Sequence, residues 1–239
     1  MPNRKMKSVK DELIKKSREA VLAAVQIYNN PQISFKSEAF ITLSIIGWTY
    51  LMHAYYRDRG IDYRYYKTVG KKNFYDKTKN GAFKHWELER CINEDNCPLD
   101  DDTKRNLKFI IGIRHEIEHQ MTNKIDEYLS AKLQASAINY NYYLCYFFGK
   151  KYCVDKELAL AIQFSPISPE QQEQITDNAM LTPNMKKFIA TFENDLSDEQ
   201  LKSSKYAYRL VFLSINVNRQ GQADTVSYTH LTLPTNREV

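Results

Sequence analysis

The stretch Ala39–Tyr56, AFITLSIIGWTYLMHAYY, carries no charge between Glu38 and Arg57, and its reading decides between a membrane span and a buried helix. A span needs about 20 predominantly apolar residues. This run is shorter and interrupted by Thr42, Ser44, Thr49 and His53, so it reads as the most apolar helix of a bundle, Lys36 to Arg59, ending before Gly60. His53 on such a helix is expected to be a core histidine with a hydrogen-bond partner. Upstream, Val9, Leu13, Ile14, Val21 and Val25 give helical periodicity from Lys7 to Asn29, stopped by Asn29-Asn30-Pro31. The short loop between the two predicts an antiparallel helical hairpin.

Composition fits a soluble globular chain. Its 239 residues are 43% apolar and 26% charged, with a net charge of +5, which allows a sizeable core. With only 7 Gly and 7 Pro, a turn-rich sandwich, a collagen-like chain and long flexible linkers are excluded. The 17 Tyr outnumber the 11 Phe and 2 Trp together, a surplus that suits interfaces, base stacking and partly exposed helix packing. Met1 to Arg18 is basic but contains Asp11 and Glu12, a helix start rather than a signal peptide. Cys91, Cys97, Cys145 and Cys153 include no C-x-x-C pair; they are expected as reduced thiols in a cytoplasm rather than as disulfides.

Past Gly60 the character changes. Nine Lys/Arg and three Asp lie between Arg57 and Lys84, among Tyr63, Tyr65, Tyr66, Phe74 and Tyr75, with turn signals at Gly70 and Asn80-Gly81. A short hairpin or an ordered insertion is expected here. Cations interleaved with rings suit nucleic acid, which nominates Arg57, Arg59, Arg64, Lys67, Lys71 and Lys72. A helix is expected near Phe83 to Ile92. Two long ones follow, Thr103 to Met121 behind the acidic Asp100–Asp102, and Lys124 to Phe148. Tyr140, Tyr142, Tyr143, Tyr146, Phe147 and Phe148 crowd the end of the last, as core or dimer packing.

Beyond Gly149 the pattern loosens. Glu157 to Phe164 suggests a strand, Ser165 to Thr182 a polar loop with Ser168-Pro169 as a helix start, Ser197 to Gln200 a capping box, and Tyr206 to Val217 another strand. The run VSYTHLTLPT from Val226 resembles the translation of a sequencing-library adaptor. On that reading residues 226–239, His230 included, are a non-native tail and 152–225 a truncated α+β segment; the alternative is an edge strand. Charge divides the chain: Met1 to Asn96 holds 18 Lys/Arg and 11 Asp/Glu, Cys97 to Thr225 holds 15 and 17. The basic half is the expected side for RNA.

Chemistry concentrates in Ile110–Met121, IIGIRHEIEHQM, which supports three readings. His115-Glu116-Ile117-Glu118-His119 matches the H-E-x-x-H of zinc proteases. Residues four apart sit about 40° apart around a helix, so both imidazoles could face one metal. Glu118, however, stands where such helices pack an apolar residue, and no third ligand follows at usual spacing. A second reading is structural: Arg114 and Glu118, four apart beside the stripe of Leu107, Ile111 and Met121, would form a buried ion pair that fixes the bundle. The third takes Arg114 and His119 as a phosphate binder and a general base. On a regular helix they lie about 140° apart, so convergence needs a distortion or a partner subunit.

The third reading rests on a resemblance. Arg114, four intervening residues and His119 fit the R-x4-6-H motif of the HEPN superfamily, with His115 where that superfamily often has Asn, Asp or His. IRHEIEH also resembles the Arg-Asn-x-x-Glu-His element of a bacterial family of unknown function associated with HEPN-like folds, His115 replacing the Asn. The resemblance implies a mainly α fold: a four-helix HEPN-like bundle over residues 1–151 with a short β insertion. It further implies metal-independent RNA cleavage without cofactor, at a homodimer interface, with Arg114 and His119 as principal residues and His115 or Glu118 as orienters. Bacterial toxin or antiphage roles are associated with such domains. The alternative is a non-catalytic RNA-binding or interaction module with a degenerate motif.

Overall fold

The computed structural model describes residues 8–118, 126–155, 157, 183–207, 211–214 and 225–228. The fold is mainly α. Helix α1 (Val9–Tyr28) starts at Ser8, whose side chain accepts from the Asp11 amide, and α2 (Lys36–Asp58) follows after a short turn. They run antiparallel: Lys10 pairs with Asp58 at one end (2.8 Å), and midway the Ser17 hydroxyl donates to the Gly47 carbonyl (2.6 Å). Gly47 permits this close approach. A Cβ there would stand 2.3 Å from Val21 Cγ2.

The polypeptide then forms strands β1 (Tyr66–Val69) and β2 (Lys72–Tyr75), antiparallel, with Tyr66 opposite Tyr75 and Val69 opposite Lys72. Gly70, at φ 62°, makes the turn. The helix expected from Phe83 is only α3 (Leu88–Ile92). Residues 82–86 are extended instead, because the hairpin base takes their hydrogen bonds. The Thr78 and Lys84 amides donate to Ala82 and Asp76, and the Tyr65 and Trp86 amides to Lys84 and Tyr63.

Helix α4 (Asp101–Glu118) and α5 (Asp126–Phe148) complete the bundle. Ser44 meets Ser136, Trp48 meets Tyr140 and Tyr55 meets Phe147; partner numbers rise together, so α2 and α5 are parallel. Asp100 meets Tyr143 while Asn106 donates to the Lys132 carbonyl, so α4 descends against α5. The core centres on Trp48, with Ile41, Leu51, Met52, Phe109, Ile110 and Leu144 buried around it. No helix among the described residues is long and apolar enough to cross a membrane.

The cysteines differ from expectation. Cys145 and Cys153 form a disulfide across eight residues, because a 3-10 turn at Lys150–Tyr152 folds the chain back onto the end of α5. Their Cα atoms stand 5.1 Å apart, within bridging range. Cys91 and Cys97 are thiols.

A helix not anticipated from the sequence, α6 (Pro183–Asn194), packs on α4, where Phe188 and Phe192 meet the buried Phe109 ring. Helix α7 (Asp198–Lys202) has the expected Ser197–Gln200 capping box. Tyr206, expected at the start of a strand, lies instead in a turn. Its ring packs on Phe109 and Phe192, and its carbonyl accepts from Asn106. Strand β3 (Val211–Ser214) pairs antiparallel with β4 (Thr225–Tyr228), which overlaps the start of the suspected tail. Of the stretches expected as a strand at 157–164 and a loop at 165–182, all but Glu157 lies outside the described residues, as does the tail from residue 229.

Candidate nucleic-acid interface

The β1–β2 hairpin is exposed on both faces, unlike a strand pair that closes a core. Alternation along the register places Lys67, Val69, Lys72 and Phe74 together on one face. Phe74 is 57% exposed and Val69 66%, so apolar surface that could have been buried is held in water between two ammonium groups. Lys67, Lys71 and Lys72 are exposed and form no ion pair with any described residue.

The opposite face is braced. Tyr66 packs edge-on against Tyr75, and Tyr75 against Phe83. Arg64 lies 4.0 Å from the centre of the Tyr75 ring and 5.0 Å from that of Phe83, and holds Asp62 through both Nε and Nη2. Tyr75 also donates to Asp62. The Arg64 hydrogen bonds outweigh partial burial and hold the Asp62 carboxyl down at about 2. Of the six nominated cations, Arg64 is therefore committed to positioning the hairpin. Arg57 and Arg59 sit exposed at the end of α2, Arg59 over the Tyr55 ring.

Beneath the hairpin lies a stack of rings. His53 is stacked on Tyr63 with centroids 4.5 Å apart, and His85 leans on both, 5.1 Å from Tyr63 and 5.9 Å from His53. His53 Nε2 is 2.7 Å from the Trp86 carbonyl oxygen; a carbonyl only accepts, so Nε2 carries the hydrogen. Burial dominates and lowers the His53 pKa to about 4, and burial followed by the Arg64 charge lowers that of His85. His53 is thus the core histidine expected. The partnership of His53, Tyr63 and His85 was not legible beforehand: His85 arrives only because residues 82–86 are extended, pairing His85 with Arg64.

The motif helix presents a second locality. Thr103, Asn106, Leu107, Ile110 and Ile113 line the buried side of α4. Arg114 follows Leu107 by seven residues, hence on nearly the same row, and is half-buried. His115 is exposed and Glu116 half-buried. His119 and the side chain of Glu118 lie outside the described residues.

These two localities do not meet within one chain. The hairpin leaves the end of α2, where α4 begins near Tyr143. From there α4 descends 13 residues to Arg114, about 20 Å at 1.5 Å per residue. The basic hairpin and Arg114 therefore occupy opposite ends of the bundle, although the motif follows the hairpin closely in sequence.

The model of a family described as a domain of unknown function, DUF3644, matches residues 12–196, more than three quarters of the chain. It covers α1 through α6, so the hairpin, α4 and the unanticipated α6 all fall within it. No curated protein and no solved structure matches.

Proposed function

The chain belongs to the DUF3644 family, and for it we propose RNA binding through the hairpin coupled to metal-independent RNA cleavage at the end of α4. The observation that carries the reading is the exposed face of Lys67, Val69, Lys72 and Phe74, where cations alternate with apolar surface. Lysines there neutralise phosphates, and a phenylalanine offers a face to an unstacked base.

Cleavage would use the R-x4-6-H motif that resembles the HEPN superfamily. His119 takes the proton from a ribose 2′-hydroxyl, and the 2′-oxygen forms a bond to phosphorus as the bond to the 5′-oxygen breaks. The leaving oxygen takes up a proton, giving a 2′,3′-cyclic phosphate and a 5′-hydroxyl. Arg114 binds the phosphate and offsets its developing charge, with His115 or Glu118 orienting. A homodimer gives the spacing a purpose: the hairpin of one copy supplies strand to the motif of the other. A cytoplasmic bacterial toxin or defence role accompanies this reading.

The half-burial of Arg114 on the Leu107 row favours a second reading, an RNA-binding module whose motif staples the bundle. RNA incubated with the protein in EDTA, beside Arg114→Ala and His119→Ala variants, separates the two. Cleavage that survives chelation and is lost in both folded variants supports the nuclease. RNA bound but left intact supports the module, and cleavage retained by either variant at full rate overturns the assignment.

A further inference from the structure

The hairpin does more than project from the bundle. Where its base crosses the end of α2 it borders two adjoining open grooves, of about 620 and 540 Å³. Both are bordered by Arg57, Tyr63 and His85, so they form one cleft with a shared wall. One lobe reaches Gly60 and Phe83; the other runs along α2 past Tyr50 and Thr49 to Leu13 on α1. Gly60, at φ 71°, turns the chain sharply after α2 and opens this mouth.

The lining is chemically divided. Arg57 is exposed and pairs with no described carboxylate, since its neighbour Asp58 is held by Lys10 and Asp62 by Arg64. The other shared walls are rings. Tyr63, His53 and His85 brace one another in a three-ring cluster, and the exposed His85 lines the cleft together with Phe83, 41% exposed. A guanidinium without an anion next to a braced aromatic wall matches a ligand with a phosphate at one end and a flat heterocycle at the other. The volume accommodates such a ligand, since small-molecule sites commonly occupy roughly 300–1,000 Å³.

We propose that this cleft binds one unstacked nucleotide, its phosphate on Arg57 and its base against His85 and Phe83. The inference extends the RNA reading above: the lysine face of the hairpin tracks a strand, and the cleft at its base takes one nucleotide from it. Single-stranded RNA is then the substrate class, because a paired base cannot leave its helix to enter.

Titration of the full chain with adenosine and uridine 5′-monophosphates, ribose 5-phosphate and inorganic phosphate, followed by calorimetry and by the His85 ring resonances, tests this. The mononucleotides should saturate one site about tenfold more tightly than ribose 5-phosphate, the order expected of one stacked base. Arg57→Gln and His85→Ala, each checked for folding by circular dichroism, should each weaken them by a similar factor. No saturation by either mononucleotide, equal binding of ribose 5-phosphate, or affinity unchanged in Arg57→Gln overturns the cleft. RNA binding by a Lys67→Gln/Lys72→Gln variant is measured separately. RNA binding lost there without mononucleotide binding to the parent overturns the cleft alone; mononucleotide binding without RNA binding by the parent overturns the proposed function alone.

Discussion

His53 lies nearly flat against Tyr63, ring planes 20° from parallel, while its Nε2 donates to the Trp86 carbonyl. This joins the most apolar helix to the hairpin base through a neutral imidazole, and it makes folding sensitive to pH. The native His53 pKa is about 4 against an ordinary 6.5. Above pH 6.5 neither state is protonated there and the contribution is complete. As pH falls from 6.5 toward 4, the unfolded chain binds a proton that the native protein refuses, and stability drops by on the order of 3 kcal/mol. Asp62 and Asp100, both held at about 2, lose their contribution only in more acidic solution, below the ordinary carboxylate range. Urea unfolding between pH 4.5 and 7 should therefore show a steep slope that flattens in His53→Gln. An equal slope in the variant would remove His53 as its source.

Gly47 sets the spacing of α1 against α2. Gly47→Ala would place its new methyl 2.3 Å from Val21 Cγ2 and 3.2 Å from the Ser17 carbonyl oxygen. The branched Val21 side chain has no flexible tip to swing away and the Ser17 backbone is already close, so the helices are expected to move apart. That would also stretch the Ser17 hydroxyl away from the Gly47 carbonyl and from Tyr140, 2.7 Å distant. We expect a loss of about 1–3 kcal/mol by denaturant unfolding, with the far-ultraviolet spectrum kept. A neutral effect would mean that α1 shifts freely on α2.

The hairpin lysines and its arginine should behave differently. Lys67 and Lys72 are exposed and unpaired with any described carboxylate. Each Lys→Gln change should weaken RNA binding across sequences and lower the slope of log affinity against log salt by about 1. Arg64 is spent on Asp62, Tyr75 and Phe83. Arg64→Gln should instead loosen the hairpin, seen as faster exchange of the Tyr65 and Lys84 amides, which fasten its base by donating to the Lys84 and Asp76 carbonyls. A salt slope that falls by the same amount in Arg64→Gln, with exchange unchanged, would show that Arg64 contacts phosphate directly.

The bundle was readable in the sequence wherever a long apolar face repeated at helical spacing between charged or turn-forming ends. That is why α1, α2, α4 and α5 match the expected elements closely. Short pieces were less readable, because tertiary hydrogen bonds decide them. Residues 82–86 carry no strong local preference and follow Tyr63 and Tyr65 into extended pairing. The Cys145–Cys153 bridge depends on a turn that spacing does not disclose. Helix α6 did leave a signal, Met185, Phe188, Ile189 and Phe192 after Pro183, which is the i, i+3, i+4, i+7 pattern behind a first-turn proline. The separation of Arg114 from the hairpin was not readable at all, since it follows from α4 running down the bundle rather than from any residue type.

Helix α6 supplies the last test, because it docks through a missing side chain. Gly112 on α4 lies under Phe188, where a Cβ would come within 2.5 Å of the ring. The ring can pivot only by leaving Phe109 and Phe192, both of which it touches. Gly112→Ala should lift α6 while the four long helices stay packed. The effect should appear as trypsin cleavage at Lys186 and Lys187 at concentrations that leave the parent intact, with a stability loss of about 1–3 kcal/mol. Adding Phe188→Leu, which shortens the obstructing ring, should restore part of the protection. Unchanged proteolysis in Gly112→Ala would separate α6 from the bundle in solution, and rescue by Phe188→Leu would fix Gly112 as its docking point.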